Sequence, residues 1–200
     1  DKFQVALADF NGGNLRNAIP REAYAIVGIP TSEKEDFEER FMEFGQELME
    51  EFKHTEPRMR FTVNDVEEKV TEVMSNDDMC ALLITIVGLP NGVLAMSFAV
   101  PGLVETSSNL ASVKFNTEEG KVTITTSQRS SVESAKLYAA QTIESVFFLA
   151  GFDVEHSDGY PGWSPNPDSK LLATTVECYR NLFATEPKVR AIHAGLVSGP

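Results

Sequence analysis

Apolar residues recur at helical spacing most clearly at Phe37, Phe41, Phe44, Leu48 and Phe52, opposite Glu38, Glu39, Glu43, Glu47, Glu50 and Glu51. This period predicts an amphipathic helix whose acidic face is solvated. Ser32 and Glu35 form a capping-box pattern before it, and Glu56-Pro57 closes it. Hydrophobic stretches at residues 3–10 and 17–29 predict two strands with a Gly-rich turn between them. Alternation over residues 59–66 predicts another strand, whereas residues 66–75 carry no assignable pattern. Residues 77–88 read as a helix capped by Asn76, its first turn acidic as the helix dipole prefers.

Residues 105–115 and 121–128 read as a hairpin joined at 117–120, with Val122, Ile124 and Thr126 on one face of its second strand. Ser130 and Glu133 repeat the capping-box pattern before a helix that buries Ala135, Ala139, Ile143, Val146, Phe147 and Ala150. Gly151 then stands where a helix-terminating glycine belongs. Residues 152–156 form a short strand, and a loop rich in Gly and Pro follows at 158–167. Asn166 caps a last helix, with Pro167 at its first position and Leu171, Leu172, Val176, Tyr179 and Phe183 buried. Residues 188–193 read as a final strand. The order of elements predicts an α+β fold, an antiparallel sheet with helices packed on one face. The loop at 158–167 is the best boundary, dividing residues 1–158 from residues 159–200.

Composition narrows the class. Two hundred residues with 42% apolar content can build a real core, which argues against general disorder. A formal net charge of −13 disfavours nucleic-acid backbones and acidic membrane surfaces. The longest apolar run, residues 79–89, is too short to span a bilayer, and no basic-then-apolar leader opens the sequence. Cys80 and Cys178 fall inside helical patterns. They read as buried free thiols in a reducing compartment, with a disulfide left open.

The candidate chemistry is recognition rather than catalysis. Residues 12–23 set Asn14, Arg16, Asn17 and Arg21 around the rigid Pro20, either as a site or as an ordinary decorated turn. His156-Ser157-Asp158 has an H-x-D spacing, but one pair cannot supply a metal's three or four ligands, and His54 and His193 lie in unrelated contexts. No G-x-S-x-G elbow, P-loop or dinucleotide fingerprint is present. Arg129 lies between a strand and a helix start. Such a guanidinium can grip a carboxylate through two parallel bonds, or simply pair with a nearby acid on the surface. Trp163, between Gly162 and Ser164, reads as packing of its loop against a helix.

An ordered set of motifs runs through nearly the whole chain: Gly12-Gly13-Asn14-Leu15-Arg16-Asn17-Ala18-Ile19-Pro20-Arg21, Leu89-Pro90-Asn91-Gly92-Val93, Val104-Glu105-Thr106-Ser107-Ser108-Asn109, Gln128-Arg129-Ser130-Ser131, Tyr160-Pro161-Gly162-Trp163-Ser164-Pro165 and Ile192-His193-Ala194-Gly195-Leu196. In this set the chain resembles the aminoacyl-histidine dipeptidases, zinc exopeptidases related to carnosinases. The resemblance implies a lid and dimerisation domain over residues 1–158, and a loop, helix and strand re-entering a catalytic domain over residues 159–200. It implies a cytoplasmic, homodimeric enzyme that hydrolyses dipeptides ending in histidine with two zinc ions. No catalytic residue, metal ligand or cofactor is expected in this chain, because the family's ligands lie before and after the lid. Asn17 matches the lid asparagine whose amide contacts substrate, and Arg129 the lid arginine that holds the terminal carboxylate. Two departures stand out. The family's Gly-Gly-His-Ser-Gly is missing, and Val197-Ser198-Gly199-Pro200 replaces the usual Glu-Cys-Gly after Leu196. The alternative is a non-catalytic homodimerisation or small-molecule-binding module that reuses the lid fold.

Overall fold

The computed structural model describes residues 3–67, 69–191 and 193. Its fold is α+β, with antiparallel strands and helices. The strands are β1 (Ala6–Gly12), β2 (Ala23–Gly28), β3 (Gly92–Met96), β4 (Val104–Asn116) and β5 (Lys121–Ser130). The helices are α1 (Lys34–Glu51), α2 (Asn76–Gly88), α3 (Glu133–Leu149) and α4 (Lys170–Phe183). The chain forms two compact units, and α2, β4 and β5 each contribute one end to both. One unit comprises the residues up to Gly13, Arg21–Ala81 and Val113–Thr123. The other comprises Asn14–Pro20, Leu82–Ser112 and the residues from Ile124 onward.

In the first unit β1 and β2 pair antiparallel from Ala6↔Gly28 to Gly12↔Ala23, and Gly12 also pairs with Val113 of β4. The apolar stripe of α1 builds an aromatic ladder: Phe3 meets Phe37 edge-on, Phe37 stacks on Phe41, and Phe41 meets Phe61 edge-on at 6.0 Å. Phe44 and Phe52, expected in that stripe, are exposed instead; Met42, Leu48 and Met49 are half-buried and Gly45 is buried. Phe61 explains the glycine, because a Cβ at position 45 would lie 2.8–2.9 Å from its side chain. The same contact corrects the strand expected over residues 59–66. Those residues form no strand; Met59 and Phe61 are half-buried while their neighbours are exposed. The alternation is real, but Phe61 is spent on a helix rather than on a ladder. In the patternless stretch before α2, the Met74 N–H donates to the Leu7 carbonyl at 2.7 Å.

In the second unit β3 pairs antiparallel with β4 from Gly92↔Ser108 to Met96↔Val104, with register shifts on either side of Ala95. The sequence carries no strand pattern over β3, since five residues with an irregular register leave no clean alternation. The core gathers Leu89, Ile143 and Phe147, with Leu110, Ile124, Val146, Phe152 and Val154 against them. Ala139, Ile143 and Phe147 are buried at four-residue spacing on α3, the face the sequence predicts. After α3, Gly151 takes φ +82°, a left-handed conformation that favours glycine. The chain then brings the Phe152 ring to 5.8 Å from Phe147. Residues 152–156 therefore pack under the helix and form no strand.

Helix starts differ from the expected caps. No side chain caps α1, which follows a short 3₁₀ turn at Thr31–Glu33. Ser75, not Asn76, caps α2: its Oγ accepts the Asp78 N–H at 3.1 Å and donates to the Asp78 carboxylate at 2.6 Å. Val132 is the N-cap residue of α3, and the Ser130 hydroxyl, two residues before it, accepts the Val132 N–H. Asn166 instead closes a turn by accepting the Asp168 N–H, and α4 starts after Ser169. No residue of α4 is buried: Leu172 and Val176 are half-buried, while Leu171, Tyr179 and Phe183 are exposed. Cys80 and Cys178 are free, as expected, but exposed rather than buried. Residues 188–191 and 193 form no strand, and residues 192 and 194–200 lie outside the described residues. Among the described residues no helix is long and apolar enough to cross a membrane.

The glycine under Phe61 gives a direct test. Gly45→Ala should lower stability by about 1–3 kcal/mol, because an added methyl must displace a packed ring. Gly159→Ala, where nothing lies within 4 Å, is the control. Equal melting temperatures for the two variants would contradict the packing.

Candidate substrate-binding site

The site lies where β4 and β5 run side by side in the second unit. Thr106 Oγ1 and Ser130 Oγ lie 2.8 Å apart, and Gln128 Nε2 donates to Ser108 Oγ at 3.4 Å. These two contacts put 106 opposite 130 and 108 opposite 128 on one face. Side chains alternate along a strand, so Ser107 and Arg129 face each other on the opposite side, with Asn109 two positions along. Polar residues thus occupy both faces of this segment. Thr106 and Ser108 are buried, and their hydroxyls are satisfied across the strands.

His193 reaches the Ser107 side of this hairpin. Its Nε2 lies 2.7 Å from Ser107 Oγ, and the ring also hydrogen-bonds the Val104 backbone. Burial pushes the imidazole below its ordinary value of 6.5, and the positive charge of Arg129 pushes it the same way; the Val104 bond opposes both. Arg129 is half-buried, and among the described residues it forms no ion pair. The surface acid partner left open by the sequence is therefore not present among them. Its guanidinium has a neutral imidazole as neighbour, a place suited to an incoming anion.

Asn17 is held from the same strand. The Asn109 amide donates to the Ala18 carbonyl at 2.8 Å and to the Arg16 carbonyl at 3.4 Å. The Ala18 N–H closes the turn onto Leu15 at 3.2 Å. These bonds leave the Asn17 side chain exposed between two pinned carbonyls. No hydrogen bond joins Asn17 to Arg129 among the described residues; Asn109 and Ser107 of β4 are what they share.

The Gly- and Pro-rich loop is fastened beside the end of β5. The Gly162 N–H donates to Glu133 at 3.2 Å, Ser164 to the Ser131 carbonyl at 3.0 Å, and Lys136 to the Tyr160 carbonyl at 2.8 Å. Lys136 first, and the Gly162 N–H second, hold the Glu133 carboxyl below its ordinary range. A Cβ on Gly162 would meet the Ser130 carbonyl at 2.7 Å, so the loop needs a glycine there to close on the strand. Trp163, expected to pack its loop against a helix, is 59% exposed.

Ser107, Asn109 and His193 were not singled out as site residues from the sequence. The signal was present, because all three stand in the motifs that carry the family resemblance and β4 is polar on both faces at Thr106–Asn109. The H-x-D pair does not converge on a metal: His156 Nε2 lies 3.4 Å from the Glu144 carboxylate. Among the described residues no group of three or more His, Cys, Asp or Glu could hold a metal ion. The described residues therefore do not fit the two zinc ions the resemblance implies for the parent enzyme.

Comparison with known proteins agrees with the resemblance. Residues 1–56 match the family described as peptidase dimerisation domain. The chain is 33% identical to the cytosol non-specific dipeptidase of Escherichia coli (strain K12), over all of this chain and 40% of that protein. It also matches the crystal structure of aminoacylhistidine dipeptidase from Vibrio alginolyticus, with a TM-score of 0.88 and 34% identity, over 96% of this chain and 39% of that one. The chain thus spans well under half the length of either relative.

Two outcomes follow. Asn109→Ala should speed hydrogen exchange of the Ala18 amide, since the carbonyls beside it lose their anchor; unchanged exchange would remove Asn109 from that role. His193 binds its proton less readily folded than unfolded, so it contributes stability above pH 6.5 that is lost as pH falls through that value toward the lower folded one. Thermal melting between pH 7.5 and 5.5 should show a smaller drop for His193→Gln than for the unaltered chain. An equal drop would contradict the assignment.

Proposed function

We propose that this chain, a relative of the aminoacyl-histidine dipeptidases, is the lid and dimerisation part of a cytosolic metallo-dipeptidase that cleaves Xaa-His dipeptides. Residues 1–158 form the lid and residues 159–200 lead toward the catalytic domain. Two zinc ions, held by segments outside this chain, would supply the reacting centre in the whole enzyme. The supporting observation is the half-buried Arg129 without an acidic partner among the described residues, facing Ser107 across β4 and β5. A dipeptide's terminal carboxylate matches a guanidinium through two parallel bonds, and the exposed Asn17 amide suits the peptide's polar groups. Closing these groups over a short substrate excludes water and limits its length.

The lid also serves as a homodimer surface. The match to a peptidase dimerisation domain supports this, together with the outward apolar residues Ile84 and Val87 of α2, 70% and 86% exposed. A non-catalytic module that keeps only dimerisation or small-molecule binding is the second reading, and the same surface serves it.

Three measurements separate these readings. In calorimetric titration with glycyl-L-histidine, Arg129→Ala should weaken binding by about 10- to 100-fold, the value of a charge-assisted pair; unchanged affinity would remove Arg129 from the site. The chain supplied with zinc should hydrolyse no Xaa-His dipeptide, and cleavage would contradict the placement of the ligands elsewhere. Sedimentation equilibrium should show a dimer that Val87→Glu converts to monomer; a monomer at every concentration would sink the dimer reading.

A further inference from the structure

Ser107 stands at the centre of the candidate site. Its hydroxyl lies 2.7 Å from His193 Nε2 on one side, and it faces Arg129 across the strand pair on the other. A hydroxyl has a single proton to donate, whereas its oxygen can accept. In the neutral tautomer whose Nε2 carries no proton, Nε2 accepts and Ser107 donates its proton inward to His193. In that arrangement Ser107 presents only lone pairs toward Arg129, which suits no carboxylate.

We propose that His193 is a positioning residue for the carboxylate site: when its ring carries a proton, Nε2–H donates to Ser107, and the Ser107 hydroxyl turns to donate to a carboxylate held by Arg129. The inference rests on the carboxylate-binding role given to Arg129 above. A carboxylate then meets the guanidinium fork and one hydroxyl together. The proton is conserved throughout: it is taken from solvent by Nε2 as the carboxylate binds and returned when the carboxylate leaves. Burial and Arg129 both oppose the charge on the ring, and an arriving anion offsets Arg129. Among the charged side chains of β4 and β5 near the ring, Arg129 is the one whose charge acts on it. Glu105 accepts the Thr106 hydroxyl at 3.3 Å, and among the described residues the other partners of the ring, Ser107 and Val104, are uncharged. Carboxylate affinity therefore rises as pH falls, the reverse of the chain's own stability, and the two trends cross at one imidazole.

The test is calorimetric titration of the chain with glycyl-L-leucine, whose carboxylate stays ionised between pH 5.5 and 7.5, and with its C-terminal amide, which carries the same kind of titrating amino group and serves as the control. Affinity for glycyl-L-leucine should rise at least threefold from pH 7.5 to 5.5, approaching tenfold per pH unit at the limit of one linked proton. The amide should show no such rise. His193→Gln, whose amide can donate to Ser107 at any pH, should bind with a flat pH profile, and Ser107→Ala should flatten it with weaker binding. In the unaltered chain, NMR titration of the His193 ring should show its pKa moving up on addition of glycyl-L-leucine, a readout that needs no variant to fold. A flat profile in the unaltered chain, an unmoved His193 titration, or an undiminished slope in His193→Gln would each overturn the proposal. If Arg129→Ala loses affinity at every pH while His193→Gln follows the unaltered chain, the carboxylate reading stands and the relay fails. If neither substitution matters, both fail.

Discussion

The cross-strand alignment of β4 with β5 is the constraint on which the site depends. Because side chains alternate, the hydroxyl contact of Thr106 with Ser130 and the amide contact of Gln128 with Ser108 decide what happens on the other face. A slip of one residue would carry Arg129 to the buried side and leave Thr106 and Ser108 without partners. The buried polar pairs therefore act as a register lock. Their individual stabilisation is modest, on the order of 1 kcal/mol each, but leaving either hydroxyl unpaired would cost more. The consequence of that lock is a guanidinium, a hydroxyl and an imidazole brought together from positions 129, 107 and 193.

Two further attachments give this face its surroundings. Asn109, on the same side of β4, holds the backbone that displays Asn17. Gly162, Ser164 and Lys136 fasten the Gly- and Pro-rich loop beside the end of β5. Each attachment uses a side chain or a backbone N–H whose partner is distant in sequence and close in space. Motifs separated by dozens of residues thus serve one strand pair, which gives a physical reason for their occurring together.

What the sequence disclosed follows from the range of the forces involved. α1, α3 and the β4–β5 hairpin were legible because amphipathic period and turn chemistry are local. The stretch over 59–66 alternates like a strand, but its alternation serves Phe61 against α1. Caps were misplaced by one to three residues because Ser, Asn and Asp all satisfy helix starts, and only geometry chooses among them. Arg129 and Asn17 were named through family resemblance, since a guanidinium in a polar strand end has no local signature of its own. His193 and Ser107 meet across 86 positions of chain, a pairing that no spacing rule contains.

The proposed role of the Ser107–Arg129 face is to receive a ligand's carboxylate. Backbone amide shifts of the isotope-labelled chain, followed during addition of glycyl-L-histidine, test it most directly. The account predicts that the changing signals cluster at residues 15–18, 104–109, 128–131 and 193. Shifts centred instead on the acidic groove of Glu35, Glu38, Met42 and Val63, or no shifts at saturating dipeptide, would contradict it.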